Sequence, residues 1–140
     1  MDMSEIVRFG VSLENSLLEK YDRLIRKKGY TTRSEALRDL IRQELVKKEW
    51  EEDQKVAGAI TFVYDHHKRG LMSQITDVQH DHQEIIISTQ HIHLDHNNCL
   101  EIVAVKGHAQ EVQKLAHELQ SIKGVRHGTL GMTSTGKSIE

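Results

Sequence analysis

The stretch QHIHLDHNNC, residues 90 to 99, contains three histidines and the only cysteine of the chain. Imidazole nitrogens bind zinc, copper, iron and nickel, and a thiolate narrows the choice to the softer ions. His91 and His93 are two residues apart on a predicted strand, so both side chains project from the same face. Cys99 follows a turn short enough to bring it back beside them. The pattern predicts a metal site with two nitrogen ligands and one sulfur ligand, and it lacks a fourth.

The residues alone leave the fourth ligand and the ion open. His80 and His82, at the end of the preceding predicted helix, are both candidates for the fourth position. A planar site would favour nickel or copper(II) and a tetrahedral site zinc, because ligand types do not separate these ions. The sequence also leaves open whether His66, His67, His82 and His96 bind additional ions, and for each of them surface exposure is the expectation.

Composition limits the class of protein. Within the 140 residues, no apolar run approaches the roughly 18 residues that indicate a membrane span. The N-terminus lacks the pattern of a secretion signal, so we expect a cytoplasmic protein without membrane contact. Residues 1–50 carry 11 Lys and Arg against 9 Asp and Glu, whereas residues 51–140 carry 8 against 12. This asymmetry assigns any anionic partner to the N-terminal part.

The segment IVRFGVSL alternates between apolar and polar residues, which predicts a half-buried strand. Two helices follow, and the strand has no partner within its own fifty residues. The simplest partner is the same strand of a second chain, which gives the ribbon-helix-helix dimer. Its ribbon enters the DNA major groove, and the alternative is a solvated edge strand. The outward residues that would be presented to base edges are Arg8, Gly10 and Ser12.

Two further features complete the predicted organisation. Thr32 and Glu35 have the spacing of a capping box at the start of the second helix, where Arg33 is suited to bind a DNA phosphate. From residue 51 onward the patterns follow the order β-α-β-β-α-β, which is typical of a ferredoxin-like fold. We therefore predict an α+β chain with a DNA-binding domain at 1–50 and a metal-binding domain at 51–140.

Four segments, RFGVSL, GYTTRSEALRDLIR, QHIHLDHNNCLE and KGVRHGTL, resemble the nickel-responsive transcriptional regulators of the NikR family. The resemblance covers nearly the whole chain. It implies a homotetramer in which two ribbon-helix-helix dimers flank four ACT-type regulatory domains, the latter also forming the tetramer contacts. It also implies that His91, His93 and Cys99 bind Ni(II) in a square-planar site, completed by His80 of a neighbouring subunit.

The same resemblance assigns roles to other acidic residues. Glu101 resembles a carboxylate that orients a ligand histidine, although an ordinary alternating strand residue is an open alternative. Glu35 and Asp39 resemble residues that hold a second cation, often potassium, yet capping and pairing with arginine would also explain them. Gly10 departs from the family, which usually has a hydroxyl residue there, so a different operator preference is expected.

The expected function is that of a nickel-dependent repressor, in which nickel in the C-terminal domain promotes binding to a palindromic operator. The resemblance implies control of nickel uptake genes. Two rivals remain open at this point. A metallohydrolase could use the same ligands on zinc, although the chain has no HExxH motif. A small-molecule sensor, or one for copper or zinc, could share the ribbon.

Overall fold

The computed structural model describes residues 5–140, and the chain divides into two compact units, residues 1–41 and 42–140. Within the described range, none of the helices combines the length and the apolar character that a membrane span requires. The helices are α1 (Asn15–Lys27), α2 (Arg33–Glu51), α3 (Leu71–Asp81) and α4 (Ala109–Gln120). The strands are β1 (Lys55–Asp65), β2 (Ile86–His93), β3 (Asn98–His108) and β4 (Val125–Thr133).

In the first unit, residues 5–14 form no regular secondary structure. The predicted strand is therefore absent from the single chain, because a strand needs a hydrogen-bonded neighbour and its own unit offers none. Ile25 and Ala36 are the buried apolar side chains of residues 5–41. The apolar residues of the predicted ribbon remain 46% to 77% exposed: Val7, Phe9, Val11 and Leu13. Two buried side chains are too small a core for an independent unit of this size.

The turn between α1 and α2 is formed by a glycine that ends α1 and a threonine that caps α2. Gly29 ends α1 with a φ of 88°, a left-handed conformation that suits glycine. Thr32 Oγ1 accepts a hydrogen bond of 3.1 Å from the backbone N–H of Glu35, which satisfies a free donor at the start of α2. The Glu35 carboxylate accepts a second bond of 3.1 Å from the Thr31 hydroxyl. Thr32 thus caps α2 as predicted, whereas the Glu35 carboxylate is bonded to the hydroxyl of Thr31 and not to the backbone N–H that a capping box uses.

The second unit is a four-stranded antiparallel sheet with the strand order β2-β3-β1-β4. The element order from β1 onward is β-α-β-β-α-β, so the predicted ferredoxin-like α+β fold is confirmed. β1 and β3 are the two central strands, and eleven residue pairs run from Lys55↔His108 to Asp65↔Asn98. This long register fixes which residues of β1 and β3 lie side by side.

The core of the second unit lies between one face of the sheet and helices α3 and α4. Alternate residues of β1 and β3 point into it, as the period of two in a strand requires. Trp50, in the last turn of α2, is 5% exposed, and its Nε1 donates a 2.9 Å hydrogen bond to the Thr133 carbonyl. Fully buried members include Ile60, Phe62, Tyr64, Val103, Val105, Val112, Leu115 and Leu119.

Candidate metal centre

The candidate site lies at the end of the sheet where β1 stops and β2 turns into β3. Cys99 pairs with His93 on β2 and with Tyr64 on β1, so these three side chains lie on the face that the helices cover. Asp95 shapes the turn, because its carboxylate accepts 2.9 Å hydrogen bonds from the backbone N–H groups of Asn97 and Asn98. The turn that the sequence predicts to bring Cys99 back beside His93 is confirmed.

Three possible ligands meet at this sheet end. Cys99 Sγ lies 3.3 Å from His66 Nδ1 and 3.6 Å from His93 Nδ1, and the three ligand atoms lie within 4.8 Å of one another. Burial, aided by the negative charges of Asp65 and Glu101, raises the pKa of the Cys99 thiol. A bound cation would act in the opposite direction and favour the thiolate. Two imidazoles and one thiolate fit a soft or borderline transition ion such as nickel.

The sequence reasoning missed His66, for which it expects surface exposure. The structure half-buries it beside Cys99. The signal was available in the pairing of the strands: if Tyr64 of β1 lies opposite Cys99, a residue just past the end of β1 must lie near the turn before Cys99. His66 also belongs, with Asp65 and His67, to a second group whose ligand atoms lie within 4.8 Å.

His91 lies on the same face but has other partners in the single chain. Its Nε2 is 2.6 Å from Glu101 Oε1, and its Nδ1 is 3.1 Å from the Tyr64 hydroxyl. Because an ionised carboxylate only accepts, Nε2 is the donor, and a neutral imidazole then keeps its lone pair on Nδ1. Among the described residues, His91 therefore stands outside the His66–His93–Cys99 group.

Glu101 is 1% exposed, and both of its carboxylate oxygens have partners. Oε1 faces His91, and Oε2 accepts a 2.9 Å hydrogen bond from Gln79 Nε2. Burial raises the pKa of Glu101, while the charge of His91 and the bond from Gln79 act to lower it. Burial, with the charges of Glu101 and Cys99, also raises the pKa of Tyr64 to about 12, so its hydroxyl keeps its proton.

The two candidates for the fourth ligand differ in their surroundings. His80 is exposed in the last turn of α3 and is not part of the three-ligand group of its own chain. The expectation that His82 is exposed is wrong. Its side chain is 17% exposed, and its Nε2 lies 2.9 Å from a carboxylate oxygen of Glu118. His67 and His96 are exposed, as the sequence predicts.

The predicted DNA contacts lie in the first unit. Arg8, Gly10 and Ser12 are exposed in the segment 5–14. Arg33 forms a two-bond ion pair with Asp22, with both N–O distances at 2.9 Å, and this hydrogen bonding lowers the pKa of Asp22. An Arg33 that binds phosphate must therefore exchange this carboxylate for it.

The residues of the predicted second cation site, Glu35 and Asp39, lie one turn apart on α2. Asp39 accepts a 2.5 Å hydrogen bond from the Tyr30 hydroxyl. Both carboxylates thus already have local hydrogen-bond donors, since Glu35 is bonded to Thr31. A cation would have to compete with these neutral hydroxyl groups.

Comparison with known proteins identifies both parts of the chain. Residues 7–48 match the ribbon-helix-helix proteins of the copG family, and residues 57–133 match the family described as the NikR C-terminal nickel-binding domain. A protein of Syntrophus aciditrophicus named as a nickel-responsive regulator is 64% identical over 96% of this chain and 98% of its own. One from Chlorobium limicola is 57% identical over 96% of this chain and its own full length.

A solved structure supports the fold alone. It is that of an uncharacterized protein from Thermotoga maritima, with a TM-score of 0.51 and 18% sequence identity, and it covers 56% of this chain and 98% of its own. The family matches exclude the metallohydrolase and small-molecule alternatives, because they join a DNA-binding domain to a nickel-binding domain. The chain therefore belongs to the NikR family of nickel-responsive transcriptional regulators, which are not enzymes.

Proposed function

We propose that the chain is a repressor whose binding to a palindromic operator depends on nickel. The observation that carries the proposal is the cluster at the sheet end, where the thiol of Cys99 and the imidazoles of His66 and His93 lie within bonding reach of one ion. A bound nickel ion would supply bonds between the facing ends of β2 and β3. The same chain contains a segment that matches DNA-binding proteins, so metal binding can regulate DNA binding. A protein that only stores metal would lack such a segment.

For the ligands, we propose His91, His93 and Cys99 of one subunit with His80 of a neighbour. His93 and Cys99 already lie together. His91 needs to exchange the Tyr64 hydroxyl for the ion, and it can do so through Nδ1 while Nε2 stays on Glu101. The exposure of His80 on α3 supports its availability to a second subunit. His66 is the competing ligand within the single chain.

We also propose a homotetramer, a dimer of dimers. The exposed apolar residues of segment 5–14 support a dimer through paired ribbons, since an apolar run of this kind is unfavourable in water. Within residues 55–140, helices α3 and α4 both pack on one face of the sheet. On the other face, the central strands present the half-exposed apolar residues Ala57, Ala59, Ile102 and Ala104, which supports assembly of the regulatory domains through that face.

We also propose the residues that contact DNA, a second cation site, the domain boundary and the cellular location. Arg8 and Ser12 would contact bases, with Gly10 between them contributing no side-chain contact, and Arg33 would bind a phosphate. A potassium ion at Glu35 and Asp39 would form the second cation site. The domains would divide at residues 1–50 and 51–140, and a repressor of nickel uptake genes would act in the cytoplasm, where its operator lies.

Selection from a random pool of double-stranded DNA tests the proposal, with nickel or with a chelator present. We expect a palindromic sequence to be enriched with nickel alone, because two-fold symmetry in the protein requires two-fold symmetry in the site. Cys99→Ala should enrich no sequence in a nickel-dependent manner. Enrichment of the same sequence when the chelator is present would contradict nickel dependence.

Linkage supplies a second test of the same proposal. If nickel raises operator affinity, then the operator must raise nickel affinity by the same factor. The enriched duplex should therefore tighten nickel binding, measured against a competing chelator, and a scrambled duplex of equal length should not. Identical nickel affinity with both duplexes would show that the two sites are uncoupled.

A further inference from the structure

A chain of three hydrogen bonds joins helix α3 to the candidate metal centre. Thr89 Oγ1 of β2 lies 3.2 Å from Gln79 Oε1, Gln79 Nε2 lies 2.9 Å from Glu101 Oε2, and Glu101 Oε1 lies 2.6 Å from His91 Nε2. The side-chain amide of Gln79 is therefore placed between two strands of the sheet. It is also the residue directly before His80.

The orientation of this amide is set by its partners. The Glu101 carboxylate accepts hydrogen bonds and cannot donate one when ionised, so the NH₂ group of Gln79 must face it. The Gln79 carbonyl then faces the Thr89 hydroxyl, which can donate. Each group has the partner that its chemistry needs, and the buried carboxylate has a donor on each oxygen. Removing the Gln79 donor would leave one oxygen of Glu101 buried without a partner, a costly state.

Helix α3 depends on these bonds at the end that carries His80. Its fully buried side chains, Leu71 and Ile75, belong to its first half. In the last turn Val78 is only partly buried against the core, and polar contacts add to it, through Gln79 and through the bond from the adjacent His82 to Glu118. A shift in the position of the Glu101–His91 pair can thus be transmitted through Gln79 to the end of α3 that carries His80.

We infer that Gln79 is a positioning residue: through Glu101 it sets the orientation of His91, and through its backbone it fixes the end of α3 that presents His80. This inference rests on the proposed ligand set, and it adds a physical connection between a ligand used within the subunit and one given to a neighbour. No contact between Gln79 and the ion is needed.

The first test compares nickel affinity in Gln79→Met and in the wild type, by competition with a chelator. Methionine keeps the length and the helix preference of glutamine but removes both polar atoms. Loss of a group that orients a metal ligand through another residue should weaken nickel binding roughly 10- to 100-fold. Gln74→Met, an exposed position on the same helix, should bind nickel as the wild type does.

A double-mutant cycle separates positioning from a general loss of structure. If Gln79 acts through Glu101, then Gln79→Met should change nickel affinity by less than about threefold in a Glu101→Gln background. An equal loss in both backgrounds would overturn the inference. Thr89→Val offers a milder variant that retains Gln79, and we expect it to weaken nickel binding roughly fivefold, the value of one ordinary hydrogen bond.

A measurement without metal distinguishes this inference from the proposed function. Side-chain ¹⁵N NMR of the metal-free protein should show His91 mainly with its proton on Nε2, and Gln79→Met should increase the form with the proton on Nδ1. An unchanged His91 spectrum and unchanged nickel affinity in Gln79→Met would refute the inference. Failure of the wild type to bind nickel through Cys99, with the NMR change still present, would refute the proposed function instead.

Discussion

His91 Nε2 lies 2.6 Å from Oε1 of Glu101, so a half-exposed imidazole is joined to the one charged side chain that is buried among residues 5–140. The pair places a polar bond at the boundary between the core and the surface. Because Glu101 accepts from Nε2, the nitrogen left for an ion is Nδ1, which is also the atom beside the Tyr64 hydroxyl. The tautomer of His91 is thus determined in the metal-free chain.

The first prediction separates His91 from His66 as ligands. In a titration of metal-stripped protein with Ni(II), we expect a thiolate-to-nickel absorption band that reaches one ion per chain. His91→Ala and Cys99→Ala should abolish the band, because each removes a proposed ligand. His66→Ala, the matched control, should retain it. The reverse pattern, with loss only in His66→Ala, would transfer the ligand role to the histidine that the single chain places beside Cys99.

The second prediction uses the alternation of the N-terminal segment. Val11→Asp should prevent ribbon pairing and lower the oligomeric state, measured by light scattering, because it places a charge on the apolar face. Gly10→Asp, on the opposite face, should leave assembly intact and weaken DNA binding by repelling phosphates. If both substitutions affect assembly equally, residues 5–14 do not pair as a two-faced ribbon.

The third prediction concerns Arg33 and DNA phosphate. Replacing Arg33 with glutamine should reduce the slope of log affinity against log salt concentration by about one, because one phosphate contact is lost. Nickel binding should not change. An unaltered salt slope would mean that Arg33 remains with Asp22 in the complex.

The fourth prediction is the pH dependence of the Asp22–Arg33 pair. The pKa of Asp22 is lowered in the folded chain from its ordinary value of 3.8. The pair therefore stabilises folding fully above that ordinary value, and the stabilisation is lost as the pH falls through the lower folded value. Asp22→Asn should unfold at a slightly lower temperature than the wild type at pH 7, and the difference should disappear in strong acid. A difference that grows on acidification would have the wrong sign.

The fifth prediction tests Trp50 as an attachment of α2 to the sheet. Trp50→Phe removes the hydrogen bond to the Thr133 carbonyl and part of a buried ring, and it should lower the free energy of unfolding by about 1–3 kcal/mol. Met132→Leu, at an exposed position on β4, should change it by less than about 0.5 kcal/mol. Denaturant titration measures both, and equal values would deny Trp50 this role.

The sequence predicted the second unit well because its signals are local and repeated. The apolar runs of β1 and β3 and the apolar spacing in α4 specify elements that pack within the same chain. The segment 5–14 shows the converse. Its alternation is equally clear, yet no strand forms in the single chain, since its hydrogen-bond partner must come from another molecule.

The possible metal ligands also differ in how well the sequence predicts their positions. His93 and Cys99 are joined by one tight turn, and their proximity could be read from six residues of sequence. His66 reaches Cys99 only through the register of β1 with β3, across 33 positions, which no local pattern reveals. The contact of His91 with Glu101 depends on the register of β2 with β3, and its contact with Tyr64 depends on that of β1 with β3 as well.

The placement of the proposed ligands His91, His93 and Cys99 has a consequence for the order in which the chain opens. All three lie on the hairpin of β2 and β3, so an ion bound by them would join the edge strand β2 to the central strand β3. Such an ion would act as a clasp on an edge strand, which has a hydrogen-bonded neighbour on one side only and would otherwise separate first. Its binding energy would then add to the stability of the fold by mass action. Backbone amides of His93 and Cys99 would exchange with solvent only when the clasp opens, so their exchange rates would measure how firmly the ion is held.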